Sequence, residues 1–282
     1  GALVQEKQAG RLQKIIVTGC MAQWWKDQIA QRCPDVDGFV GVSGYEDIAQ
    51  VIDQAMAGEH PALFGDIDAP VPETDRVVCT SDYWAWLRIA EGCDNRCAYC
   101  VIPYIRGKFR SRPEQAILAE AEELAYQAVK AGKFFTMIGG DHSVTIPVHR
   151  GVNRAVEEDF GIIHIDAHFD LCHEMHGDIL SHGSTERRAT ELSHVGDSDH
   201  LYFLGIRSIE SDELEFYQNN KINVLSAADV DHLGVPAALE RMVSHMKRFS
   251  KVYITLDIDC LDPAYAAGTG TPQFGGLTAR QL

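Results

Sequence analysis

The chain has 282 residues, 45% of them apolar and 23% charged, enough for one large or two medium hydrophobic cores of ordinary globular type. Its 41 acidic residues outnumber 25 basic ones, and the resulting charge of -16 repels phosphate backbones, making nucleic acid an unlikely partner for the whole chain. Apolar runs reach strand length only, which argues against a membrane-spanning helix.

The chain opens without Met and without a basic-then-apolar leader, which reads as an internal start and not as a processed secretory protein. Residues 14–18 read as a strand, followed by a helix to about 32 and another over 45–56. The Pro- and Asp-rich stretch 65–75 reads as a linker, and 84–90 as a strand leading into a cysteine-rich loop. Pro113 starts an Ala/Glu-rich helix that runs to about residue 130. Further on, 134–138 reads as a strand, 144–157 as a helix and 161–165 as an apolar strand of a sheet covered on both faces. Strands over 200–204, 223–226 and 252–256, with a helix over 236–249, complete the pattern. This alternation predicts an α/β fold with a parallel sheet flanked by helices.

Three polar motifs follow predicted strands, where open α/β sheets place their sites. They are Gly139-Gly-Asp141-His142-Ser143, Asp166-Ala-His168-Phe-Asp170 and Asp257-Ile-Asp259. Residues at i, i+2 and i+4 of an extended chain share a side, so Asp166, His168 and Asp170 can converge, as can Asp257 and Asp259. Four such carboxylates repel one another unless cations compensate. With one imidazole from each of two loops they form a mixed N/O donor set that suits Mn²⁺, with Zn²⁺ and Fe²⁺ as competitors. Any one motif alone is a common strand-end turn; three at successive strand ends are not. His164, inside an apolar strand, reads as a packed core residue, and His173 and His176 as loop residues.

The run GGDHS, DAHFD, SHG, DIDCLDP and GTGTP resembles the ureohydrolases, the arginase and agmatinase family, over residues 132–282, and agmatinase more than arginase. The resemblance implies a three-layer α/β/α fold, a binuclear Mn²⁺ site and hydrolysis of a guanidino compound such as agmatine to urea and an amine by a hydroxide held between the metals. One metal would take His142, Asp166, Asp170 and Asp257; the other Asp166, His168, Asp257 and Asp259. His182 would serve proton transfer or substrate contact, and Asp141 would orient the ligands. Family members are usually oligomers. The family's glycine-rich substrate segment and its guanidinium-binding glutamate have no counterpart here.

The eight cysteines are Cys20, Cys33, Cys79, Cys93, Cys97, Cys100, Cys172 and Cys260; three crowd into residues 93–100, which suggests a metal or cluster site in a reducing cytoplasm. A zinc site lacks a fourth ligand at finger spacing. Cys93-x-x-x-Cys97-x-x-Cys100 resembles the radical S-adenosylmethionine enzymes, whose three thiolates bind a [4Fe–4S] cluster and leave one iron for the cofactor. Together with the runs at 14–20, 87–93 and 102–107, it resembles their methylthiotransferase branch, which modifies tRNA or a ribosomal protein. Cys20 would match a ligand of that family's second cluster. The expected organisation is therefore a chimera: a partial methylthiotransferase domain over 1–75, a partial radical-SAM segment over 76–127 and a ureohydrolase domain over 128–282. An inactive chimera is the alternative to either activity.

Overall fold

The computed structural model describes residues 1–71, 73, 80 and 83–282. The expected 75/76 boundary, the end of the 65–75 linker and Cys79 lie outside the described residues. The chain divides into two units, Gly1–Ile117 and Leu118–Leu282.

In the first unit the helix α1 (Ala2–Gln8) precedes β1 (Ile16–Thr18), α2 (Cys20–Trp24), α3 (Ile29–Arg32), β2 (Gly38–Val40), α4 (Ile48–Met56) and β3 (Ala62–Leu63). The three strands form a parallel sheet in the order β1-β2-β3. Buried Asp37 anchors it: the backbone N–H of Ile15 donates to Oδ2 at 2.8 Å, and Lys7 and Lys14 reach the same carboxylate at 2.6 and 3.2 Å. The helix expected to run to residue 32 is split in two by a turn. The strand expected over 84–90 shrinks to β4 (Ala90–Glu91), because only those residues find a partner, antiparallel β5 (Arg110–Ser111). Between β4 and β5 lie the cysteine loop and the short helix α5 (Ile102–Arg106).

The helix α6 (Glu114–Lys130) spans the division between the units. The second unit continues with α7 (Thr145–Ala155), β6 (Gly161–Ile165), α8 (Thr185–Ala189), β7 (Leu201–Ile206), α9 (Leu214–Asn219), β8 (Asn223–Ser226), α10 (Ala227–Leu233), α11 (Val235–Met246) and β9 (Val252–Leu256). Its sheet is wholly parallel, in the order β8-β7-β6-β9. Strand alternation sends Ile162, Leu201 and Phe203 to one face, against Ala125, Val148 and Val152 of α6 and α7. Ile163, Tyr202 and Leu204 go to the other, against Val230, Ala238 and Met242 of α10 and α11. The sheet is thus a middle layer between helices, as the sequence pattern predicts.

The strand expected over 134–138 does not form. Phe135 and Met137 pack against the core while Phe134 and Ile138 are 97% and 91% exposed, so the alternation of a strand is present. Among the described residues no strand pairs with this segment, and extended chain without a ladder partner is not a strand.

Candidate metal centre

Each ligand candidate is set by a tight turn beyond a strand or extended segment. After the 134–138 segment, Asp141 caps a 3₁₀ turn over His142–Val144 by accepting from the Ser143 N–H at 3.0 Å. That turn delivers the His142 ring into the interior, where Nε2 lies 2.7 Å from Oγ1 of Thr255 on β9. Nδ1 is thereby aimed at carboxylates: 2.9 Å from Oδ2 of both Asp166 and Asp170, and 3.6 Å from Asp257.

After β6 the chain does not continue extended. Asp166 Oδ1 accepts from the His168 N–H at 2.7 Å, forming a turn, and Asp170 adopts a left-handed φ of +52°. After β9, Asp257 caps the 3₁₀ turn Ile258–Cys260 by accepting from the Asp259 N–H at 2.9 Å. Asp259 lies 3.2 Å from His168 Nδ1, accepts from the Ala167 N–H at 3.2 Å and accepts from Thr271 Oγ1 at 3.1 Å.

Among the described residues, two groups of at least three His, Cys, Asp or Glu side chains place ligand atoms within 4.8 Å of one another: His142, His164, Asp166 and Asp170; and Asp166, His168 and Asp259. Asp166 belongs to both. Asp257 stands outside these sets but lines the same pocket. The pocket, of about 60 Å³, is lined also by Cys172, Met175, His182, Glu210, Glu213 and Thr271. That is room for a few waters or ions beside the carboxylates. His182 is exposed at the pocket edge, and Asp141 is exposed beside its turn.

The electrostatics are those of crowded carboxylates compensated by imidazolium. Burial alone would lower the His142 pKa, but the Asp166 and Asp170 carboxylates beside it prevail and push it up to about 10. For His168 burial is likewise outweighed, by Asp166 and Asp259, and it also rises to about 10. Burial raises Asp170, reinforced by the neighbouring Asp166 charge. Burial raises Asp257 too. Asp166 is the exception: the His164, His142 and His168 rings outweigh its burial and hold it well below the usual carboxylate range.

Sequence reasoning missed the groups behind the ligands. His164, read as core, is fully buried and stacked on His142 at 5.0 Å, yet its nitrogens bond Glu186 and the His168 carbonyl. Buried Glu213 accepts from the N–H groups of Leu171 and Glu210 at 2.7 and 2.8 Å. Arg207 Nη2 donates to the carbonyls of Asp259, Gln273 and Leu261 at 2.6, 2.8 and 3.2 Å, tying together the segment that carries Asp259 and Thr271. No periodicity marks these residues; an acid or an arginine in an otherwise apolar neighbourhood is the only signal.

In the first unit, Cys93 and Cys100 are half-buried and Cys97 is exposed. Neither of the two ligand groups above includes a cysteine. The Cys93 N–H donates to the Gly107 carbonyl at 3.1 Å and the Cys100 N–H to that of Cys97 at 2.9 Å, so the loop is folded on itself. Cys20 begins α2 close to Arg106, whose guanidinium pairs with Glu91 at 2.8 Å.

A parallel α/β unit with a buried cluster of imidazoles and carboxylates beyond its strand ends is compatible with a binuclear metal site. The arginase-family profile matches residues 77–282, and the chain belongs to that family. The match begins well before residue 132, where the resemblance read from the sequence begins. A crystal structure of arginase from Bacillus cereus is 30% identical with a TM-score of 0.52, covering 58% of this chain and 61% of that one. A hypothetical agmatinase from Burkholderia thailandensis is 36% identical with a TM-score of 0.51, covering 59% and 50%. The chain is also 42% identical over 129 residues to a ribosomal protein uS12 methylthiotransferase RimO from Lachnoclostridium phytofermentans, a match covering 45% of this chain. The chain spans 29% of the length of that relative. It thus joins two unrelated likenesses.

Proposed function

We propose that the second unit holds two Mn²⁺ ions and hydrolyses a guanidino compound of agmatine type to urea and an amine. The observation that carries this reading is the convergence of six candidate ligands, His142, Asp166, His168, Asp170, Asp257 and Asp259, on one pocket. The residues fit a cation. His142 Nδ1 is buried between two carboxylates yet has no hydrogen bond of acceptable geometry, as a nitrogen aimed at a metal would. The imidazole and oxygen donors suit Mn²⁺. His142, Asp166, Asp170 and Asp257 would hold one ion, and Asp166, His168, Asp257 and Asp259 the other.

When bound, such a pair of cations acidifies water and so supplies a nucleophile strong enough for a guanidinium carbon at neutral pH. The protein's own groups do the rest. Asp166 is fixed by the His168 N–H, Asp170 by the Thr185 hydroxyl, and Asp259 by the Ala167 N–H and the Thr271 hydroxyl, which keeps their oxygens converged. His182, at the pocket edge, is placed to hand a proton to the leaving amine, and Asp141 orients His142 by capping its turn. The test is urea release from agmatine by the Mn²⁺-loaded chain, against Asp166→Asn. Turnover above background that Asp166→Asn abolishes supports the reading; metal binding without urea would restrict it to a cation site.

A second reading concerns the first unit, where Cys93, Cys97 and Cys100, with the similarity to the methylthiotransferase, favour a [4Fe–4S] cluster that binds S-adenosylmethionine. The two readings belong to separate units and do not compete.

A further inference from the structure

Behind the candidate ligands lies a carboxylate to which the proposed reaction gives no role. Glu186, on α8, is fully buried, with Oε1 3.1 Å from Nδ1 of His164. At the other end of that ring Nε2 is 3.0 Å from the carbonyl oxygen of His168 and 3.3 Å from Oδ2 of Asp166. Both ring nitrogens face acceptors only, so one ring orientation serves all of them. The same turn of α8 grips the far end of the ligand loop. The N–H groups of Glu186 and Arg187 donate to the Asp170 carbonyl at 3.0 and 3.2 Å. That grip matters because Asp170 holds a left-handed φ of +52°, which residues other than glycine adopt at a cost.

Stability does not account for Glu186. Burying a carboxylate carries a desolvation cost, and apolar residues of similar size often replace buried ion pairs without loss. Oε2 also has no hydrogen-bond partner among the described residues, which adds to that cost. What the carboxylate does supply is direction. It fixes the His164 ring, and the ring fixes Asp166 and the His168 carbonyl. We propose that Glu186 is a positioning residue of the metal centre, acting through His164 to hold the 166–170 loop in ligand geometry. The proposal rests on the metal-binding reading above.

The test is Mn²⁺ titration of the full chain, followed by the electron paramagnetic resonance of the free ion, for wild type, Glu186→Leu and Glu186→Gln. Thermal unfolding of each metal-free protein is recorded in parallel. Expected is a loss of Mn²⁺ affinity of about 10–100-fold in Glu186→Leu without a lower unfolding temperature, and recovery of most of that loss in Glu186→Gln, which keeps an acceptor oxygen. A folded Glu186→Leu that binds Mn²⁺ like wild type overturns the positioning role. If Glu186→Leu does not fold, Glu186→Met, which also lacks the acceptor, takes its place: a loss of about 10–100-fold in a folded protein supports the role, and affinity equal to wild type overturns it. Wild type that binds no Mn²⁺ overturns the metal reading itself, and with it this proposal.

Discussion

Replacing Arg207 by Met keeps most of the side chain's length and removes its guanidinium. Among its contacts, Nη2 reaches the Asp259 and Gln273 carbonyls at 2.6 and 2.8 Å, and Nη1 the Gly205 carbonyl at 3.2 Å. Hydrogen bonds from a charged donor contribute about 1.5–3 kcal/mol each, and water can reach part of this half-buried site, so each bond is taken at or below the low end. The expected loss is about 3 kcal/mol, equivalent to roughly 6–12 °C in melting temperature for a unit of this size. The assay is urea and thermal unfolding of the full chain, followed by Mn²⁺ titration of the folded fraction. Because Asp259 and Thr271 lie in the segment that Arg207 ties together, Mn²⁺ affinity should fall as well. Arg207→Lys should recover less than half of the stability, since one ammonium cannot serve carbonyls on several sides. A Met variant within about 1 kcal/mol of wild type, binding Mn²⁺ normally, would refute the reasoning.

Three further predictions concern separate parts of the chain. Gly151 lets α7 cross α6, where an added Cβ would meet the Glu122 carbonyl and come 2.8 Å from the Ala125 Cβ, so Gly151→Ala should destabilise by about 1–3 kcal/mol in urea unfolding. Burial would raise the Asp37 pKa, but Lys7, the Ile15 N–H and Lys14 outweigh it and hold the group at about 2, below its unfolded value of 3.8. The linked stability is therefore full above pH 3.8 and lost as the pH falls through about 2, amounting to about 1–2 kcal/mol that Asp37→Asn should remove in a pH series of unfolding curves. After anaerobic reconstitution with iron and sulfide, wild type should show the visible absorption of an iron–sulfur cluster and Cys97→Ala should not; equal spectra would remove the cysteine loop from cluster binding.

The parts of the second unit that were legible in the sequence are its short, bounded apolar runs. The apolar runs at 161–165, 223–226 and 252–256 are strands with those bounds; only the first is central and buried along most of its length, while the other two end the sheet, and Val252, Ile254 and Leu256 are exposed. The run at 134–138 is also apolar but has no strand partner among the described residues, and a pattern cannot report whether the neighbouring strand is there. The convergence of Asp166, His168 and Asp170 was also legible, but the reason differs. Extended alternation does not bring them together; a turn capped by Asp166 and a left-handed Asp170 do. Asp257 and Asp259 likewise converge through a 3₁₀ turn. Glu186 and Arg207 escaped notice because their partners lie 22 and 52 residues away, and such contacts leave no local spacing to read.

The central claim is that the second unit assembles a two-cation hydrolytic centre, and the most direct test is elemental analysis of the full chain purified with Mn²⁺, paired with urea release from agmatine. The account predicts about two Mn²⁺ per chain together with urea release that Asp166→Asn abolishes. A folded chain with no bound metal and no urea would contradict it.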